Sequence, residues 1–433
     1  MKLSSDEIVF DPASVADPNG RVFWWGGNVY RGIREKPAGL YRTLLESEAF
    51  ARLIDAGMIG TQTTELSLDG FDLVLSHDTI RFRSYPFEWC DQMLKDAALL
   101  TCDINLALAS VGLATQDAHP WNVLFDGPFP KWIDFGSIVP RERASGSWRG
   151  CYREFEQWFL YPLHLMSAGR GHLARHLLEE STGLFSREQA AKQLPVTTRI
   201  RCRAEALRHD PARFRSGASF LERLREFVED IPLPEAVPGW SRGDETDPPS
   251  PAIPGEQCHQ GSLGSWIATE LLSKLRPSPV VQLTCTRGRA FLLAAAPMDI
   301  PIAALDSDET RVRSVYADAA EAKHRVLPLV IDVHAPTASD ISVRSGSFRP
   351  AATERLKGEL AVGLGVVDDL VFGQGFDLDD VVEKLSAFTG KWLLVDSALY
   401  SREKVAAVLG RYFVRAGWLE SSPAPGRLVL CER

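Results

Sequence analysis

A proline- and glycine-rich stretch from Ile231 to Gly264 divides the chain and limits what it can fold into. It opens with I-P-L-P-E-A-V-P-G-W-S-R-G-D-E-T-D-P-P-S-P-A-I-P-G. Such a run sustains neither a helix nor a central strand, so we predict a partly extended linker over residues 231–264. Residues 1–230 and 265–433 are then each long enough to form a domain with its own core.

The segment Gln116–Ser137, with the sequence Q-D-A-H-P-W-N-V-L-F-D-G-P-F-P-K-W-I-D-F-G-S, carries the clearest chemical pattern of the first half. Apolar runs on both sides of a D-G-P turn predict a hairpin that brings Asn122 and Asp134 to the same end. An acid, an amide and a second acid at this spacing are the polar skeleton of a kinase-type site. There Asp117 would take the proton of the acceptor hydroxyl, and Asn122 and Asp134 would hold Mg²⁺.

The elements around this segment predict an α+β domain. Apolar positions recur at three and four residues between Asp91 and Gly112, which indicates a helix just before the motif. Upstream, a hairpin turning at Gly26-Gly27-Asn28 and a helix over Gly39–Ala56 follow the order of a kinase small lobe. Further strands are predicted at Gly60–Leu66, Phe71–Leu75 and Thr79–Arg83.

Arg31 stands where such a lobe carries the lysine that grips the nucleotide phosphates. We therefore predict that it contacts a bound nucleotide, with Glu46 or Glu48 as its helix partner. Other interpretations remain open. Arg31 could be an ordinary cation at a strand edge, and Asp117, Asn122 and Asp134 could be turn and cap residues.

The second half alternates strands and helices, which predicts a parallel, doubly wound α/β sheet. Its strands are predicted at Val280–Leu283, Ile302–Leu305, Val326–Ile331, Leu360–Val367 and Trp392–Val395. Its helices are predicted at Arg289–Ala296, Glu309–Ala322, Asp377–Phe388 and Arg402–Ala416. A closing hairpin around Pro423–Gly426 would add one antiparallel strand.

Charge and cysteine content narrow the functional classes. A formal net charge of −9 argues against a nucleic-acid-binding surface as the main function. The seven cysteines are scattered and never in C-x-x-C spacing, which favours free thiols in a reducing cytoplasm. The N-terminus shows no signal sequence, and no apolar run is long enough to cross a bilayer. We therefore expect a cytoplasmic protein with a small-molecule substrate and no membrane partner.

These patterns resemble known families. The segment with Asp117, Asn122 and Asp134 resembles the catalytic core of aminoglycoside-phosphotransferase-type kinases. The C-terminal order with its closing hairpin resembles a class I S-adenosylmethionine-dependent methyltransferase. From the S-Y-P-F-E-W of Ser84–Trp89 through D-A-H-P-W-N to the final hairpin, the whole chain resembles bacterial fusions of the two, the NoeA-like methyltransferases.

The methyltransferase resemblance implies a cofactor site in the second half. The loop after the first strand of that half, which in such enzymes reads roughly D-x-G-x-G-x-G, here carries Gln282 and Thr284 and keeps only Gly288. The branched side chain of Thr284 would crowd the cofactor there. The resemblance implies that Asp306 accepts from the ribose hydroxyls and that Asp332 accepts from the adenine amine.

A pair of acids, Asp368 and Asp369, ends the fourth strand of this half. It stands where relatives carry a histidine pair that faces the substrate. A paired carboxylate there could be a general base, because one carboxylate raises the pKa of the other. A helix cap is the alternative interpretation.

Three hypotheses for function follow. The first is methyl transfer from S-adenosylmethionine to a small metabolite, with the kinase-like half shaping the substrate side. The second is phosphoryl or nucleotidyl transfer that depends on ATP and Mg²⁺ in the first half. The third is a non-catalytic role in which both sites have drifted.

Overall fold

The computed structural model describes residues 1–15, 17–143, 148–179, 192–197, 199–200, 217–234, 260–285, 289–341, 348–396, 400–419 and 427–433. Three of the predicted features lie outside these ranges in whole or in part. They are Gly288 of the predicted cofactor loop, residues 235–259 of the predicted linker and the turn of the closing hairpin around Pro423–Gly426.

A five-stranded antiparallel sheet opens the first half. The strands of this half are β1 Lys2–Leu3, β2 Val9–Phe10, β3 Gly20–Trp25, β4 Asn28–Ile33, β5 Thr61–Thr63, β6 Ser67–Leu68, β7 Leu73–His77, β8 Leu113–Thr115, β9 Val123–Asp126, β10 Phe129–Trp132 and β11 Ile138–Pro140. The sheet has the order β2-β3-β4-β7-β5, and β1-β6, β8-β11 and β9-β10 pair separately. Gly26 and Gly27 turn from β3 to β4 with φ of 56° and 80°, a region that glycine adopts without strain. The predicted hairpin is therefore confirmed.

The helices of the first half are α1 Glu35–Leu45, α2 Glu48–Ala56, α3 Asp91–Ala109, α4 Trp148–Phe155, α5 Tyr161–Ser167, α6 Gly171–Glu179 and α7 Gly217–Glu229. Two predictions were wrong here. The single helix predicted for Gly39–Ala56 is two helices, because Ser47 is extended and its hydroxyl donates to the Leu44 carbonyl at 2.7 Å. Thr79–Arg83 forms no strand. The apolar alternation there comes from Ile80 and Phe82, which are buried from a loop.

The second half is built on a seven-stranded mixed sheet. Its strands are β12 Val280–Gln282, β13 Ile302–Asp306, β14 Val326–Val330, β15 Asp340–Ile341, β16 Phe348–Arg349, β17 Gly358–Gly363, β18 Thr389–Asp396, β19 Arg415–Trp418 and β20 Leu428–Glu432. The sheet order is β14-β13-β12-β17-β18-β20-β19, and β15 pairs only with β16. Strand β20 runs antiparallel to both of its neighbours, whereas the strands from β14 to β18 are parallel. The predicted parallel sheet with one reversed strand is confirmed.

The helices of the second half are α8 Gln260–Trp266, α9 Ser273–Leu275, α10 Arg289–Ala295, α11 Glu309–Ala322, α12 Ala352–Arg355, α13 Val366–Asp368, α14 Leu378–Ala387 and α15 Arg402–Leu409. The helix predicted for Arg402–Ala416 was therefore too long, because the chain turns after Leu409 and enters β19. Helix α8 begins at Gln260, inside the stretch predicted to be linker. At the other end of that stretch, Ile231 is buried and its carbonyl accepts from the Lys95 ammonium at 2.9 Å.

Two buried ion pairs join the halves. The Arg355 guanidinium binds both carboxylate oxygens of Glu88, and the two side chains are 0% and 1% exposed. The Arg313 guanidinium binds both oxygens of Asp91 at 2.7 Å each. Charges this deep are tolerated only when they are paired and hydrogen-bonded, so these contacts fix one alignment of the two halves.

The turn of the β9-β10 hairpin also packs against the second half. The Tyr316 hydroxyl of α11 donates to the Pro128 carbonyl at 3.0 Å or to Asp96 at 2.7 Å. Gly127 has a φ of 61°, and a Cβ placed there would lie 2.9 Å from the Cα of Arg325. Only glycine allows so close an approach of two backbones. The hairpin is therefore part of the interface between the halves.

The described residues contain no helix long and apolar enough to cross a membrane. Of the cysteines, Cys90, Cys102, Cys285 and Cys431 are buried free thiols. Burial raises the pKa of Cys431 to about 12 and raises those of the other three as well, so all four are unreactive packing residues.

We predict that Arg355→Met lowers the free energy of unfolding by roughly 3–5 kcal/mol, because it leaves the buried Glu88 carboxylate without its partner. Arg223→Met is the matched control, since Arg223 pairs with Glu226 on the surface, where a pair is worth about 0–1 kcal/mol. Urea denaturation measures both. Equal midpoints for the two variants would show that the interface pair is not important for stability.

Candidate functional site

The predicted hairpin brings Asn122 and Asp134 together at its open end. Its register pairs Val123 with Trp132, and the Ile133 amide donates to the Asn122 carbonyl at 2.9 Å. Asn122 is 7% exposed, and its side-chain nitrogen has no hydrogen-bond partner among the described residues. An unsatisfied amide this deep is rare in a folded protein, which marks the position as one that can receive a ligand.

Asp117 lies on the loop that leads into the hairpin. It is partly buried, and the next residue is held in place because the Ala118 amide donates to the Glu154 carboxylate at 2.9 Å. The predicted role of Asp117 as a base remains a prediction, and so do the metal roles of Asn122 and Asp134. Within the described ranges no group of three or more His, Cys, Asp or Glu residues has the arrangement of a metal site.

Arg31 contacts the Asp134 carboxylate directly. Its Nη2 lies 3.2 Å from Asp134 Oδ1, and its Nη1 lies 2.8 Å from Oδ2 of Asp17. The predicted partners Glu46 and Glu48 are exposed, so that expectation was wrong.

The helix α1 presents Tyr41 to this site instead of a carboxylate. The Tyr41 hydroxyl lies 2.8 Å from the Gly136 carbonyl, within the D-F-G loop. A phenol cannot act as the counter-ion of a guanidinium in the way a glutamate does. The counter-ions of Arg31 therefore come from the two loop residues Asp17 and Asp134.

A tight turn clamps this arrangement from the other side. Asp17 Oδ1 accepts from the Asn19 amide at 2.8 Å, and the Asn19 side chain donates to the Gly136 carbonyl at 2.8 Å. A Cβ on Gly136 would lie 2.2 Å from Nη1 of Arg31 and 2.6 Å from Oδ2 of Asp17. The site is therefore closely packed around the guanidinium.

Burial sets the charges of the groups beside Arg31. It raises the pKa of the Asp134 carboxyl, although the Arg31 guanidinium opposes the shift. Burial, followed by the charge of Arg31, lowers the pKa of His77 to about 3, so this histidine is neutral at pH 7. Its Nδ1 lies 2.9 Å from the Thr61 hydroxyl, which can donate to the Ile59 carbonyl at 2.9 Å. The ring therefore donates through Nδ1 and keeps Nε2 unprotonated.

An aromatic cluster links the front loop to the second half. Trp121, next to Asn122, lies 5.3 Å from the Tyr85 ring and 5.2 Å below the guanidinium of Arg349. Arg355, the partner of Glu88, lies 3.8 Å over Tyr85. The loop that carries the front site thus contacts β16 of the second half directly, and Tyr85, which packs on Trp121, contacts Arg355 of α12.

In the second half, the predicted cofactor residues lie at the carboxyl ends of neighbouring parallel strands. Gln282 ends β12 and is fully buried, and its amide donates to the Thr284 carbonyl at 2.9 Å. Its side-chain oxygen has no partner in the part of the chain that the structure describes. Asp306 ends β13 and accepts from the Cys285 amide at 3.0 Å and from the Asp308 amide at 2.9 Å. Asp306 therefore ties the first loop to the second.

The other predicted residues of this half have different surroundings. Asp332, just past β14, is exposed and accepts from the His334 amide at 2.9 Å. Asp368 is 4% exposed, whereas the next residue, Asp369, is exposed. Their predicted role as a paired general base remains a prediction.

Sequence reasoning missed the residues that hold the site in place. Asp17 was not considered, although D-P-N-G over residues 17–20 is a turn signal. The interface carboxylates Glu88 and Asp91 pair with arginines 267 and 222 residues further along the chain, and no local pattern reports a contact at that distance.

Comparisons with known proteins give weak likenesses. No family model matches the chain. It is 24% identical over 347 residues to nodulation protein NoeA of Rhizobium meliloti (strain 1021), which is 75% of this chain and 72% of that protein.

Solved structures also resemble part of the chain, and two examples follow. The bifunctional kinase-methyltransferase WbdD covers 41% of this chain and 40% of its own, at 18% identity and a TM-score of 0.30. Magnesium protoporphyrin IX methyltransferase from Synechocystis PCC 6803, with bound SAM, covers 41% of this chain and 80% of its own, at 15% identity and a TM-score of 0.30. These values are low, so the functional argument is carried by the strand order and the site geometry.

We predict that the free energy of unfolding of His77→Gln decreases less steeply than that of the wild type as the pH is lowered. The pKa of His77 is lower in the folded protein than its ordinary value of 6.5, so the unfolded chain binds the extra proton first. The contribution of His77 to the free energy of unfolding is therefore fully present above about pH 6.5. It falls by up to ~1.4 kcal/mol per pH unit as the pH drops toward 3. Urea denaturation from pH 7 to 4 measures the difference. His172→Gln, at an exposed position, is the control, and parallel curves for His77→Gln and the wild type would contradict the prediction.

A second prediction concerns the packing around Arg31. Gly136→Ala should cost about 1–3 kcal/mol, because the new methyl group forces the guanidinium away from Asp17. Gly39→Ala is the matched control. Nothing lies within 4 Å of its Cβ, and alanine in a helix is favoured over glycine by up to ~1 kcal/mol. Thermal melting compares the two, and a stabilised Gly136→Ala would contradict the packing argument.

Proposed function

We propose that residues 265–433 bind S-adenosylmethionine at the carboxyl edge of the seven-stranded sheet and transfer its methyl group to a small acceptor. One observation carries the proposal. Gln282, Asp306, Asp332 and Asp368 follow four adjacent parallel strands, β12, β13, β14 and β17. The strand order reverses between β12 and β17, and open α/β sheets bind their ligands at such a switch point.

The residues at this edge fit the cofactor. The buried Gln282 oxygen lacks a donor among the described residues, and the cofactor's ammonium group is one. Asp332 is exposed at the rim and can accept from the adenine amine. The Asp306 carboxylate already accepts hydrogen bonds from two backbone amides. It would therefore accept from the ribose hydroxyls only through its remaining lone pairs. Thr284 then belongs to the wall of the cofactor loop.

The acceptor side would be formed by the two halves together. When bound, S-adenosylmethionine supplies an electrophilic methyl group, and the protein has to orient the acceptor and take up its proton. Asp368 is the better placed base, because it is buried in α13, the helix that follows β17, whereas Asp369 is exposed. Arg349 lies in β16, between β14 and β17, and its guanidinium contacts the ring of Trp121 in the front half. This contact would shape the acceptor pocket.

Phosphoryl transfer by a kinase-like first half is the second candidate. Two observations favour it. An antiparallel sheet of order β2-β3-β4-β7-β5 with helices between β4 and β5 supports it, and the hairpin places Asn122 opposite Ile133, the residue before Asp134. We propose a kinase-like fold for this half on these grounds. The ion pair between Arg31 and Asp134 counts against an active Mg·ATP site.

Titration calorimetry with S-adenosylhomocysteine tests the first proposal. Wild-type protein should bind it, and Asp332→Asn should weaken binding by about 10- to 100-fold, because a charge-assisted hydrogen bond is lost. Asp299→Asn is the matched control, since Asp299 is exposed at the opposite, amino end of β13. It should bind as the wild type does. No binding by folded wild-type protein at millimolar ligand would contradict methyl transfer by this domain.

A further inference from the structure

The front site holds a cation of its own. We infer that the Arg31 guanidinium takes the place of the divalent cation at Asp134, so that this carboxylate does not bind Mg²⁺. The inference concerns the first half alone and is independent of the proposal of methyl transfer in the second half.

The first step in the argument is the contact itself. Arg31 Nη2 lies 3.2 Å from Asp134 Oδ1, on the carboxylate that a metal would need. The second carboxylate, Asp17, lies 2.8 Å from the other terminal nitrogen. One guanidinium thus bridges two acids, as a divalent cation would bridge two oxygen ligands.

The second step is that Arg31 is held in this position. Its side chain is 7% exposed, and the Asp17–Asn19 turn hydrogen-bonds to the Gly136 loop on its far side. Gly136 leaves no spare room beside Nη1. An arginine so enclosed cannot swing out to solvent when a metal arrives.

The third step is electrostatic. The group of Asp17, Arg31 and Asp134 carries a formal charge of −1, because one cation is set against two acids. A magnesium ion bound to Asp134 would lie beside the guanidinium in a poorly solvated place, where like charges repel strongly. Mg²⁺ also dehydrates reluctantly and requires near-octahedral oxygen ligands.

Manganese binding, followed by the EPR signal of free Mn²⁺, tests the inference. Four proteins are compared: the wild type, Asp134→Asn, Arg31→Met and the double variant. The wild type and Asp134→Asn should take up equal amounts of Mn²⁺. Arg31→Met should gain a site at least tenfold tighter than any in the wild type, and the double variant should lose it.

Arg83→Met is the matched control for the removal of an arginine. It frees the Asp11 carboxylate from its partner at 3.3 Å in the same half and should gain no such site. Circular dichroism and thermal melting show whether each variant is folded. A folded Arg31→Met that gains no Mn²⁺ site would overturn the inference.

The comparison of the wild type with Asp134→Asn remains decisive if Arg31→Met does not fold. Both proteins keep the arginine, and Asp134 is the more exposed of the pair, at 27% against 7%. If the wild type bound one equivalent of Mn²⁺ and Asp134→Asn did not, the metal and not the guanidinium would be the counter-ion of Asp134, and the inference would be overturned. Equal binding by the two supports the inference.

Discussion

The fold depends on two buried ion pairs that cross from one half to the other. Arg355 neutralises Glu88, and Arg313 neutralises Asp91, in places where an uncompensated charge would be very costly. Hydrophobic contacts tolerate sliding, but bidentate pairs have a single geometry. They therefore fix where the front loop meets the second half, and every contact of Trp121 and Tyr85 follows from that alignment.

The same principle governs the front site. Asp134 is more exposed than the interface carboxylates, at 27%, but it too is matched to an arginine. In the second half, by contrast, Asp306 is satisfied by backbone amides, and Gln282 keeps an acceptor without a partner in the described residues. The two halves thus differ in how their carboxylates are satisfied, by a guanidinium in the front site and by backbone amides at the rear edge. Each site keeps a buried side-chain polar atom without a partner in the described residues, Asn122 Nδ2 in front and Gln282 Oε1 at the rear.

The sequence predicted the elements well and their long-range contacts poorly. Apolar periodicity located the strands of the rear sheet, helix α3 and the β9-β10 hairpin, because these depend on neighbours within a few residues. The break at Ser47 was missed, since one extended residue does not disturb the helical pattern. The partners of Arg31 and Arg355 could not be found, because they are chosen by tertiary packing and carry no periodic signal.

Gly127 has a consequence for how such a chain can change. Its backbone abuts the segment that opens β14, so the loop at the tip of the hairpin has no room to lengthen or to acquire a side chain. Surface turns elsewhere accept insertions readily, and this one does not. A front half taken from a relative with a longer β9-β10 turn would not pack against this rear half. The two halves are therefore constrained to evolve as one object and not as interchangeable modules.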